Sequence, residues 1–177
     1  MLKTQEDYIS MLTVVGPVLD NNKTVWSANS VFSGYVTDFK ANKVLIDAAA
    51  QGGNIITTGA TQDKINAAEA AFDFGSKLSK RASVYALEQD NSEMHDQMRV
   101  SKGSLSQLAD SKASIKLHDI YDRMMAIGDD LSPFVSAEEL TRFKTMIDNY
   151  DKLLSRPREL TVNRKVHNED LPELIQA

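Results

Sequence analysis

Residues 25–49 read VWSANSVFSGYVTDFKANKVLIDAA, and residues 65–86 read INAAEAAFDFGSKLSKRASVYA. In the first stretch Val25, Ala28, Phe32, Tyr35, Phe39, Asn42, Ile46 and Ala49 recur at three- and four-residue steps, with Asn42 the one polar interruption. In the second, Ile65, Ala68, Phe72, Gly75, Ser79, Ala82 and Ala86 do the same. That spacing keeps one side of an α-helix facing inward for about six or seven turns and matches no strand. The seams differ in kind. The first carries large rings and the second mostly small residues, and alternating sizes are how facing helices fill a core.

Working outward, the first seam predicts a helix from Lys23 to Gln51, ended by Gly52-Gly53, whose freedom to take positive φ suits a helix C-terminus. A polar loop reaches Ala60, Thr61 is a candidate cap, and the second helix runs to about residue 89. A short link between two long helices favours an antiparallel pair. The expected fold is therefore all-α: an up-down bundle built on a long hairpin of about residues 23–51 and 61–89, with additional shorter helices, as one domain over 1–177.

Before the hairpin, a helix opens at Thr4, faces Ile9, Leu12, Val15, Gly16 and Leu19 inward, meets a kink or break at Pro17 and stops near Asn21-Asn22. Beyond it, residues 91–109 read as two short pieces about Gly103. Ala113 to Ile127 make a further helix, ended by Gly128. Ser136 opens the next with Glu139 at the capping-box position and Val135 placed to staple onto Leu140. Its seam is Leu140, Phe143, Ile147, Tyr150 and Leu154, and Pro157 begins a last segment of irregular spacing. After Pro172 the apolar-rich tail lacks a stop signal, as either a frayed end or a truncated chain does.

Composition narrows the function classes. Cysteine is absent, so disulfides, thiolate metal sites and cysteine nucleophiles are excluded and a cytoplasmic chain is the default. Net charge is −5, and no segment gathers the Lys/Arg that displaces counterions from a nucleic acid. Arg156, Arg158, Arg164 and Lys165 read as a solvated helix end. Residues 8–19 form the longest early uncharged run, too short for a membrane span of about 20 residues.

Helical bundles often hold di-iron sites through Glu-x-x-His, because residues three apart aim both ligands at one metal pair. Here the residues three before His95, His118 and His167 are Ser92, Ile115 and Arg164, so that motif is absent. No phosphate-binding glycine loop or nucleophile elbow appears either. No catalytic, cofactor-binding or metal-binding residues are therefore assigned. His118 is the best single candidate, at the border of an apolar face with Asp119 beside it and Asp122 one turn on. The plainer reading is a boundary histidine bonded to a neighbouring carboxylate. His95 and His167 lie in polar stretches and are expected to face solvent. Asn42 is expected to edge out of the core beside Lys43, the alternative being a buried residue that fixes register. The methionines are expected to be core filler.

Asn22, Trp26, Phe32, Val36 and Phe39, with Thr61 and Lys64, Tyr85-Ala86, Ser104-Leu105 and Pro157-Arg158, give the chain a resemblance. It resembles a loosely defined family of uncharacterised all-helical proteins from Bacteroidetes-type bacteria. The resemblance implies an all-helical fold and a chain that continues past Ala177, and it brings no activity, ligand or catalytic residue. The expected function is a non-enzymatic helical interaction or scaffold protein, binding a protein partner or forming a homo-oligomer. A membrane-inserting bundle, from the Ile55-Ile56 tip, is the first alternative. An enzyme using His118 with Asp119 or Asp122 is the second.

Overall fold

A computed structural model describes residues Lys3 to Gln176. Among them all regular structure is helical: α1 (Lys3–Asn21), α2 (Lys23–Trp26), α3 (Ser30–Gly53), α4 (Thr58–Glu88), α5 (Ser92–Met98), α6 (Lys102–Ser106), α7 (Asp110–Ile127), a 3-10 turn (Gly128–Leu131), α8 (Ala137–Leu154) and α9 (Arg156–Gln176). The all-α expectation holds. The described residues divide into two compact units, residues 58–157 and residues 3–57 with 158–176.

The larger unit is organised by α4. Its expected seam is buried at Phe72, Gly75, Ser79, Ala82 and Ala86, and widened by Ala67, Ala71 and Leu78. The ring that fills this small-residue seam comes from α8 rather than from Phe32 or Tyr35. A Cβ placed on Gly75 would lie 2.7 Å from Phe143 Cε2 and 3.2 Å from Leu117 Cδ2, so only glycine admits the ring. Phe143 is fully buried, and burying a side chain of that size stabilises by roughly 1.5–3 kcal/mol. Phe72 meets Tyr150 edge-on at 5.6 Å, the geometry aromatic quadrupoles prefer. The buried Ser79 hydroxyl donates to the Met98 carbonyl, fastening the end of α5 to α4.

The start of α8 matches its sequence signal. Ser136 Oγ accepts from Glu139 N at 3.2 Å, and the Glu139 carboxylate accepts from Ser136 N at 3.0 Å. Val135 and Leu140, the stapled pair, are both buried. Glu139 also takes two hydrogen bonds from Arg81 on α4, at 2.6 and 3.2 Å, so the cap of one helix is anchored to another. Gly128 ends α7 with φ 71°, a conformation other residues adopt only with strain.

The smaller unit has a modest core of Leu12, Ile46, Ala49 and Leu171, flanked by Tyr8, Ile9, Phe39 and Leu174. Three expectations change here. The helix expected from Lys23 to Gln51 is two helices, because Asn29 turns extended (φ −93°, ψ 108°) and caps α3 by accepting from Phe32 N at 3.1 Å. Trp26 Nε1 donates to the Leu19 carbonyl at 2.8 Å, tying α2 back to α1. Second, of the kink or break expected at Pro17 the break is absent, since Pro17 lies inside α1. Third, α3 runs through Gly52 and Gly53, and neither has positive φ. Their role is room: a Cβ on Gly52 would overlap the His167 ring of α9, and one on Gly53 would overlap Asn168. Asn42 is exposed, at the edge of the seam.

Candidate functional site

His118 does not pair with Asp119 or Asp122. Its Nε2 lies 2.8 Å from Asp151 Oδ2 on α8, and Ser114 Oγ donates to the other oxygen of Asp151 at 2.6 Å. One carboxylate thus fastens two turns of α7 to α8. Serine and histidine both bind the carboxylate rather than each other, so the hydroxyl has no base to activate it and the arrangement lacks the logic of a nucleophilic triad. His118 and Asp151 are each about one-third exposed, at 35% and 33%. The geometry matches the boundary-histidine reading with a different carboxylate.

Asp119 is engaged elsewhere. Partial burial disfavours its charge, but hydrogen bonds from Lys116 (2.7 Å) and Arg123 (2.8 Å) outweigh that and hold its carboxyl below the ordinary value. Asp122 is exposed. On α8, Lys144 donates to Asp148 at 2.5 Å, which raises the lysine and lowers the aspartate. Burial and the neighbouring Asp110 push the Tyr150 hydroxyl above its usual range. The Asp119 contacts stay within α7 and the Lys144–Asp148 pair within α8, while Tyr150 reaches across to Asp110 on α7. His95 and His167 are partly buried rather than solvent-facing, His167 because its ring occupies the space above Gly52. Of the methionines, Met98 and Met124 are core filler as expected, while Met11 and Met125 are about half exposed. Among the described residues no group of three or more His, Asp or Glu side chains is placed to hold a metal ion. None of their helices is long and apolar enough to cross a membrane.

Two features remain. One is a notch of about 230 Å³ in the larger unit, between the end of α7, the 3-10 turn and the start of α8. The other is the surface of the smaller unit. Of the eighteen large hydrophobic side chains exposed among the described residues, twelve belong to that unit and six to the larger one. Buried hydrophobic residues show the opposite split, five against twenty. The exposed set is patterned. Met11, Val14 and Val18 line one face of α1, apart from the buried Leu12 and Gly16. On α3 the ring seam is buried around Ile46 and Ala49 but open at Phe32 and Tyr35, which are 44% and 69% exposed. Val25 and Val31 stand exposed beside them in sequence. Periodicity located Val25, Phe32 and Tyr35 on the seam; it could not tell which half of the seam is covered, and it did not mark Met11, Val14, Val18 or Val31.

No protein-family model, curated protein or solved structure matches the chain.

Proposed function

We propose that this chain is a non-enzymatic helical interaction protein of the bacterial cytoplasm, and that it self-associates through its smaller unit. The observation that carries this reading is the apolar imbalance: that unit exposes twelve large hydrophobic side chains and buries five hydrophobic residues. Isolated exposed hydrophobics are normal, whereas apolar side chains grouped on helix faces mark surfaces that another surface covers. Phe32 and Tyr35 are the natural anchors, since aromatic side chains dominate the energetics of interfaces. A stable interface buries about 800 Å² per partner, within reach of faces the length of α1 and α3. The cytoplasmic assignment rests on the absence of cysteine, and the bacterial one on the family resemblance.

Light scattering coupled to size-exclusion chromatography tests this reading. The wild-type mass should exceed the monomer's 19.6 kDa and fall to it in the Phe32→Asp/Tyr35→Asp variant, whose helical circular dichroism is retained. A wild-type chain that stays strictly monomeric at high concentration refutes self-association. A second reading is favoured by one observation, the 79% exposure of Ile56 in the link after α3. An exposed isoleucine in an interhelical link suits shallow insertion into a lipid surface. Flotation with liposomes at neutral and acid pH decides it, and no binding at either pH ends that reading.

A further inference from the structure

The notch in the larger unit has a defined chemistry. Its floor is apolar: Met124, Val135 and Leu140 are buried, and the partly buried Tyr121 and the half-exposed Met125 form its walls. Its rim carries Asp129, Ser132 and Thr141. Asp129 is the one charged side chain among the ten residues that line the notch. Gly128 sets its position, because the positive φ there ends α7 and turns the chain into the 3-10 segment bearing Asp129. The carbonyl end of α7 adjoins the same space and favours positive charge. The opposing positive end of α8 is already answered by Glu138 and Glu139 in its first turn.

From this we propose that the notch binds a small organic ammonium ion, its hydrocarbon body on the Met124–Val135–Leu140 floor and its charged nitrogen at Asp129. At about 230 Å³ the space is below the ~300–1,000 Å³ of sites for drug-sized ligands, so the ligand is a compact amine. Thioether and phenol walls suit such a cation, the methionines by moulding to its alkyl part and Tyr121 by presenting its ring. The hydroxyls of Ser132 and Thr141 offer acceptor oxygens to the remaining N–H groups.

The test uses the full chain labelled with 13C at its methionine methyls, because Met124 and Met125 line the notch while Met11 and Met98 do not. Phenethylammonium is titrated, with 2-phenylethanol and 3-phenylpropionate as neutral and anionic probes of similar shape. The expected result is saturable shifts at Met124 and Met125 alone, with the amine binding more tightly than either control. Asp129→Asn, on an exposed side chain, should weaken amine binding by about fivefold, the worth of one partly screened charge pair. Asp130→Asn, next in sequence but outside the notch, should leave it unchanged. Three outcomes each overturn the proposal: no saturable shift with the amine, equal affinity for all three probes, or equal loss in the Asp129 and Asp130 variants.

Discussion

Gly75→Ala on α4 should destabilise the larger unit, although alanine is the better helix former. Replacing a mid-helix glycine by alanine ordinarily gains about 0.5–1 kcal/mol. At position 75 the new methyl would sit 2.7 and 2.8 Å from Phe143 Cε2 and Cζ, closer than carbon atoms approach. Phe143 has nowhere to retreat: it is fully buried, with the Phe74 and Tyr121 rings each 6.3 Å from its own. Overpacking a filled core costs about 1–3 kcal/mol. Subtracting the helix gain leaves a net loss of about 1 kcal/mol, which lowers the melting temperature of a unit this size by roughly 4–8 °C. Gly59→Ala is the internal control, since it lies on the same helix with nothing within 4 Å of an added Cβ. It should stabilise by about 0.5 kcal/mol. The assay is chemical denaturation followed by far-ultraviolet circular dichroism, repeated for Phe143→Leu and for the Gly75→Ala/Phe143→Leu pair. The pair should lose about 1 kcal/mol less than the sum of its single changes, because the smaller side chain vacates the clash. If Gly75→Ala stabilises as Gly59→Ala does, or if the pair is additive, the seating of Phe143 against Gly75 is refuted.

Other expected outcomes rest on separate contacts. Ser136→Ala removes the acceptor for Glu139 N and should cost about 1 kcal/mol in the same assay. Glu139 is held below the usual glutamate range, first by the Arg81 hydrogen bonds and then by Ser136 N–H. Because its folded pKa is depressed, its contribution is present above about pH 4.5 and fades as pH falls through the folded value. Glu139→Gln should therefore lose about 1 kcal/mol or less at neutral pH, and its stability curve should meet the wild-type curve in acid. Leu117→Ala and His118→Gln, adjacent on α7, should differ sharply in stability. The fully buried leucine costs about 2–5 kcal/mol and the one-third-exposed histidine less than about 1 kcal/mol.

Helix faces were legible where period and burial coincide. The α4 seam from Phe72 to Ala86 and the α8 seam from Leu140 to Tyr150 appear in the fold as they do in the sequence. The start signal of α8 was equally plain, since a capping box involves residues only three apart, whereas α4 begins at Thr58 and Thr61, its expected cap, lies inside it. What spacing does not carry is the identity of a distant partner. Gly75 announces a need for room, but that Phe143 rather than Phe32 uses it depends on residues 68 positions away. His118 failed for the same reason: Asp119 and Asp122 are near in sequence, yet Asp151 is the carboxylate that meets the imidazole. The break at Asn29 did leave a signal, the small polar run Ser27-Ala28-Asn29-Ser30, but the apolar period passes unbroken across it. The notch is assembled from α7, a turn and α8, and nothing in the spacing of its residues marks it.

The two units also differ in how they are strung along the chain. Residues 58–157 are continuous and contain everything their core needs, so that core can form as soon as the segment exists. The other core joins residues near the start, such as Leu12 and Ile46, to Leu171 near the end. Bringing such distant segments together carries a loop-closure entropy that grows with the intervening length. The cost drops once the middle hundred residues have collapsed into a compact body. Assembly therefore has an order built into its connectivity, with the central core first and the outer one sealed when α9 arrives. During synthesis, the apolar faces of α1 and α3 wait without α9 while residues 54–155 are made, and in this interval they are open to pairing with the wrong copy.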